Sequence, residues 1–116
     1  MLSNRSVTLL TLGRADEALE SCAAALLAKP HFTDALYNRG NALRALGRYD
    51  DACASYQAAL EIEPRRADAL NNLGLALVSL GRHAEALTRF DAALAVDPND
   101  IGALQNRANA LAELGA

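Results

Sequence analysis

The side chains best suited to metal binding or nucleophilic chemistry are two histidines, His31 and His83, and two cysteines, Cys22 and Cys53. A zinc site needs about four ligands converging at short, characteristic spacings. Neither histidine stands near a cysteine in such a spacing, and the two fall in a turn and at a helix start that share no face. Cys22 and Cys53 lie on apolar stripes, where free cysteine behaves as a small hydrophobe. No Ser–His–Asp or Cys–His pattern is present, and the glycines are spaced as punctuation rather than gathered into a phosphate-binding loop. The expectation is no enzyme, no metal and no cofactor. Asp50–Asp51 and Arg65–Arg66 are charged pairs at helix ends or turns, where charge is readily solvated. What remains is hydrogen-bond chemistry. Asn4, Asn38, Asn72 and Asn106 stand 34 residues apart. An asparagine carries an amide donor pair and a carbonyl acceptor, so one side chain can pair with both backbone groups of an extended peptide.

The elements that must position this column repeat with it. Gly13, Gly47, Gly81 and Gly115 share the 34-residue interval, as do Pro30, Pro64 and Pro98, and Ala18, Ala52 and Ala86. Each glycine follows a leucine (Leu12, Leu46, Leu80, Leu114), and Arg14, Arg48 and Arg82 follow the first three. Within one unit, Ala35, Leu36, Ala42, Leu43 and Leu46 recur at three- and four-residue intervals, which is one face of a helix. Gly47 then supplies a left-handed stop. Asp50 and Asp51 favour the positive end of the next helix dipole. Ala52, Cys53, Tyr56, Ala59, Leu60 and Ile62 form its apolar stripe, and Pro64 ends it near Glu63. The alanine columns at 18/52/86 and 25/59/93 allow close helix crossings. Helices are predicted over 1–12, 16–28, 34–46, 50–62, 68–80, 84–96 and 102–114. Neither helix of a unit buries its stripe alone; stacked units do.

Composition fits this reading. Leucine and alanine, both good helix formers, dominate the apolar residues. The net charge of −3, from 11 basic and 14 acidic residues, offers no general attraction to nucleic acid or an anionic membrane. No apolar run approaches the roughly 20 residues needed to span a bilayer. Asp16 and Glu17 interrupt the N-terminal apolar pattern against a secretory signal. Two cysteines make no disulfide framework, so a cytoplasmic location is expected.

These columns closely resemble the tetratricopeptide repeat family over the entire chain. The pattern W-x2-L-G-x2-Y, A-x3-F, P is carried by Leu70, Leu73, Gly74, Leu77, Ala86, Phe90 and Pro98, and by Leu36, Arg39, Gly40, Leu43, Ala52, Tyr56 and Pro64. Departures are leucine for Trp and Tyr, Cys22 in the Phe column, and Arg5, Arg39 and Arg107 in one Leu column, where an arginine stem can pack while its head reaches water. The resemblance implies an all-α, right-handed superhelical solenoid of antiparallel hairpins over 1–116. Its units would be 1–32 (partial), 33–66, 67–100 and a half unit 101–116, with seven helices in about three and a half repeats, as in a segment of a longer protein.

The resemblance also implies that first helices line a concave groove into which Asn4, Asn38, Asn72 and Asn106 face. A similar ladder is implied by likeness to the repeats of O-linked N-acetylglucosamine transferases, nearest at Asp68-Ala69-Leu70-Asn71-Asn72-Leu73-Gly74. Asp34, Asp68, Tyr37, Asn41, Arg44, Asn71, Gln105 and Asn109 would complete the groove wall, with Tyr37 as an aromatic anchor. The carboxylate clamp of chaperone-binding repeats is matched only at Asn41 and Asn72, its basic places being Tyr37, Gly102 and Asn106 here. The function expected is a protein-interaction scaffold holding an extended peptide or partner surface. The alternative is a structural or self-assembling segment, or the substrate-recruiting arm of a larger enzyme such as a glycosyltransferase. Leu104, Ala108, Leu111 and Leu114 in the final half unit would form a self-association stripe.

Overall fold

The computed structural model describes residues 4–29 and 31–115, with side chains from Arg14 onward. Six helices are found among the described residues: α1 (Asn4–Ala28), α2 (Thr33–Ala45), α3 (Tyr49–Ile62), α4 (Ala67–Ser79), α5 (His83–Val96) and α6 (Ile101–Glu113). There is no strand among the described residues.

The hairpins α2–α3 and α4–α5 are built as their residues dictate. At the end of α2, Gly47 takes φ 76°, its amide donating to the Arg44 carbonyl at 3.0 Å and the Arg48 amide to the Leu43 carbonyl at 2.8 Å. This is the Schellman stop, which an L side chain resists. Gly81 repeats it at φ 76°, with Arg82 donating to Leu77 at 2.9 Å. Arg48 and Arg82, the residues that open α3 and α5, lack capping oxygens. Their guanidinium groups instead pair with Asp51 and Glu85 in the first turn, at 2.9 and 2.7 Å. The Glu63 amide closes α3 on Ala59, and Pro64 and Arg65 form the turn to α4. The predicted break at Pro30 lies outside the described residues.

Inside each hairpin an aromatic ring sits on a glycine. Tyr56 of α3 is fully buried against Gly40 of α2, and Phe90 of α5 against Gly74 of α4. A β-carbon at Gly40 would stand 2.5 Å from the Tyr56 ring, well inside contact distance. Around these locks Leu43, Ala52, Cys53, Leu73, Ala76, Leu77, Ala86 and Ala110 form one continuous core. Leu70, Ala93 and Ala103 carry it toward α6.

The first unit departs from expectation. Instead of two helices over 1–12 and 16–28 with a stop at Gly13, α1 runs unbroken through Gly13, giving six helices where seven are predicted. The sequence supplies a physical reason. The Gly40–Tyr56 and Gly74–Phe90 locks correspond, 34 residues earlier, to Ser6 and Cys22, so unit one lacks the ring-on-glycine contact that holds a hairpin shut. Glycine inside a helix costs only about 1 kcal/mol relative to alanine. Without the lock, continuing the helix through Gly13 is the cheaper course.

Each helix packs on its chain neighbours, and among the described residues the further contacts join α2 to α4 and α4 to α6. The backbones of successive first helices approach one another closely, while those of α3 and α5 stay farther apart. The stack therefore curves with α2, α4 and α6 on its inner side.

Candidate functional site

The inner side is a polar lane between adjacent first helices. The amide of Asn72 on α4 donates to the Tyr37 hydroxyl and to the Asn41 side-chain carbonyl on α2, each at 2.9 Å. One unit on, the amide of Asn106 on α6 donates to the Asn71 side-chain carbonyl on α4 at 3.0 Å. The two bridges are one motif. The column asparagine of each unit reaches the residue at the Tyr37/Asn71 position of the unit before. This fixes which half of each amide is engaged. Asn72 and Asn106 keep their carbonyl oxygens free of protein partners among the described residues, whereas Asn41 and Asn71 accept through their carbonyls and keep their NH2 groups. All four are half-buried and so still reach solvent.

The lane is braced from the core side. Tyr56, fully buried but for its hydroxyl's partners, donates to the Asn41 carbonyl at 2.5 Å, and Arg44 Nε donates to the Tyr56 hydroxyl at 3.4 Å. Burial raises the Tyr56 phenol above its ordinary value of 10.0, against the opposing pull of Arg44, so it stays a donor. At one edge Arg66 lies over the Tyr37 ring at 4.6 Å and pairs with Asp34 at 2.6 Å and Asp68 at 2.9 Å. Glu63 stands 3.9 Å from the same guanidinium, so that edge carries one cation against three carboxylates. With Arg44 added, the lane keeps a net negative charge.

The expected groove residues are distributed as follows. Asn72, Asn41, Tyr37, Asn71, Asn106 and Arg44 are gathered into the hydrogen-bonded lane, with Asp34 and Asp68 at its edge. Tyr37 is half-buried rather than open, one face covered by Arg66 and the ring 6.0 Å from Tyr56. Asn38, Gln105 and Asn109 are exposed and outside that network. The Asn4 side chain lies outside the described residues. Sequence reasoning missed Arg66 as a groove residue, taking it for a solvated half of Arg65–Arg66. Its position next to the α4 start, two residues from Asp68 and 32 from Asp34, was the available signal.

In α6 and its C-cap, Leu104 and Leu114 are about half exposed, Ala108 is exposed and Leu111 is partly buried. Cys22 and Cys53 are both free and buried, and burial raises both thiols above their ordinary 9.0. Among the described residues no three of His, Cys, Asp and Glu converge on a point, and no helix is long and apolar enough to cross a membrane.

Residues 40–81 and 74–115 each match the family model described as TPR repeat. No curated relative matches the chain. Among solved structures, it superposes on the first TPR of Spaghetti (RPAP3) bound to an HSP90 peptide, SRMEEVD, with TM-score 0.87 and 20% identity, covering 97% of this chain and 90% of that one. It is similar to the MamA protein at TM-score 0.83 and 26% identity, over 87% of this chain and 55% of that one. The second TPR domain of human RPAP3, solved with the HSP70 peptide SGPTIEEVD, gives TM-score 0.82 and 20% identity, over 93% and 90%.

Proposed function

The chain belongs to the TPR repeat family, and from that premise we propose that it is a protein-interaction module whose inner lane holds an extended peptide by its backbone. The observation that carries the reading is the repeated asparagine bridge. Each bridge leaves one free carbonyl oxygen (Asn72, Asn106) and one free amide (Asn41, Asn71) in adjacent first helices. An acceptor beside a donor is the complement of a peptide unit, which offers one N–H and one C=O. Packed helices lie about 8–10 Å apart, and an extended chain advances about 3.3 Å per residue. Successive bridges would therefore meet a bound peptide about every three residues.

The charge of the lane narrows the ligand. Asp34 and Asp68 are already paired with Arg66, and Arg44 is turned toward the Tyr56 hydroxyl. Arg44 and Arg66 are outnumbered by Asp34, Glu63 and Asp68, so the lane offers no surplus of positive charge to a C-terminal carboxylate, which needs charge-assisted donors to be held well. Peptides such as SRMEEVD bind a relative of the same fold. Here the favoured ligand is an internal, uncharged stretch read through its backbone.

Titration of an unbiased peptide set against the chain and its Asn38→Ala/Asn72→Ala variant tests this. Removing Asn72 dismantles one bridge, and affinity should fall at least about fivefold for the loss of one or two net hydrogen bonds of about 1 kcal/mol each. Unchanged affinity across every peptide that binds would mean that the asparagines only keep the groove wet. SRMEEVD should bind no more tightly than its C-terminally amidated form.

A further inference from the structure

The unbroken α1 leaves a slot that the other units fill. In units two and three the first helix of the hairpin lies on the alanine columns of the second. There Ala52, Ala59, Ala86 and Ala93 are wholly buried. In unit one the same columns, Ala18 and Ala25, are only partly buried. Beside them two apolar clefts, of about 430 and 220 Å³, open between α1 and α2. They are lined by Ala18, Cys22 and Ala25 on one wall and Ala35, Asn38 and Ala42 on the other.

The chain also contains the segment that fits this slot. Residues 2–12 carry Leu2, Leu9 and Leu12 in register with Leu36, Leu43 and Leu46 of unit two and with Leu70, Leu77 and Leu80 of unit three. The changed lock residues agree with each other. Where the ring is replaced by Cys22 the opposing glycine is replaced by Ser6, so the larger residue meets the smaller partner. Yet residues 4–12 continue α1 straight past its own slot wall by roughly 13 Å, at about 1.5 Å per residue. They cannot lie beside the wall they extend.

We infer that the slot between α1 and α2 is filled by residues 4–12 of a second copy of this chain, exchanged reciprocally about a two-fold axis at Gly13–Arg14. The register places the axis there. The Gly40–Tyr56 pairing, moved back 34 residues, sets Ser6 against Cys22, and the midpoint of 6 and 22 is residue 14. Two straight α1 helices packed antiparallel thus meet at Gly13, whose missing side chain permits close approach, and each presents its first half to the other's second half. Exchange of an identical element is a low-cost route to a closed dimer. The exchange also extends the inner lane. The partner's Asn4 would add a further member to the asparagine column.

The inference deepens the peptide-groove reading but is tested without peptide, so that either can fail alone. In a Ser6→Cys/Cys53→Ser chain, a short bifunctional thiol reagent applied at low micromolar concentration should give a covalent dimer through the introduced thiol and Cys22. Sedimentation of the unmodified chain should show the same dimer. Gly13→Ala, which favours the straight helix about fivefold per chain, should raise the dimer fraction, and Leu104→Lys/Leu111→Glu should leave it unchanged. An intramolecular cross-link would show that the segment folds back at Gly13 and fills its own slot, overturning the exchange. So would a strict monomer with both thiols uncrosslinked, or a covalent ladder beyond two chains. Loss of the dimer in the Leu104/Leu111 variant would place the joint on α6 and equally overturn it.

Discussion

At the scale of single residues, the ring-on-glycine contact sets what each position tolerates. Gly74→Ala would drive a β-carbon into the Phe90 ring, which is wholly buried and cannot retreat. A loss of about 1–3 kcal/mol is expected, as for other overpacked cores, read from the urea midpoint. Gly102→Ala is the control. Its nearest neighbour would be Asp100 Oδ1 at 3.4 Å, so it should cost nothing measurable. The buried acids make a second prediction. Cys22, Cys53 and Tyr56 all have folded-state pKa values raised by burial above 9.0 for the thiols and 10.0 for the phenol. The folded chain then holds protons that the unfolded chain releases, so stability is intact below pH 9 and falls as pH climbs past 9 and 10. A series of urea midpoints from pH 7 to 10.5 should decline over that window. In native buffer Cys53 should react slowly with alkylating reagents and speed up on unfolding.

At the scale of elements, the glycine stops separate legible sequence from illegible. The 34-residue columns yielded α2 to α6 to within a residue or two, because α2, α4 and α6 each end at a glycine whose left-handed φ no other residue supplies cheaply, and α3 and α5 each end just before a proline. Gly13 sits in the same column and is followed by the same arginine, yet α1 passes through it. A glycine permits a turn; the tertiary contact behind it enforces the turn, and that contact was written at Ser6 and Cys22 rather than at Gly13. Gly47→Val should therefore destabilise the chain by more than about 1 kcal/mol. The same change at Gly13 should cost less in thermal melts, since no left-handed stop is lost there. The site was half legible for a similar reason. Spacing reveals that Asn38, Asn72 and Asn106 form a column, but not that Asn72 and Asn106 spend their amides on the preceding unit. That depends on the inter-helix distance, which no single helix encodes. Tyr37 read as an open anchor because nothing in its own helix covers it; its cover, Arg66, arrives from the start of α4.

At the scale of the whole molecule, affinity follows from the size of the lane. A net hydrogen bond contributes about 0.5–1.5 kcal/mol, so four asparagine groups supply roughly 2–6 kcal/mol before ordering costs. A millimolar complex already needs about 4 and a micromolar one about 8 kcal/mol. Isothermal titration of a single backbone-read peptide against one chain should accordingly give a dissociation constant no tighter than high micromolar. If the chains are joined in pairs, a peptide or partner engaging both lanes should bind more tightly by effective concentration alone.

That helices touch only near neighbours along the chain has a further consequence, one of rates rather than affinities. No tertiary contact needs residues more than about one repeat apart to meet, so the loops closed during folding are short and the search is fast. Opening can likewise start at either end and travel inward, each unit released at the cost of a single interface. Amide protons should then exchange in a gradient, slowest in α3, α4 and α5 around Tyr56 and Phe90 and fastest in the outer helices. The protein would wear from its edges toward its centre, keeping the Asn41–Asn72 bridge ordered after Asn106 has already begun to loosen.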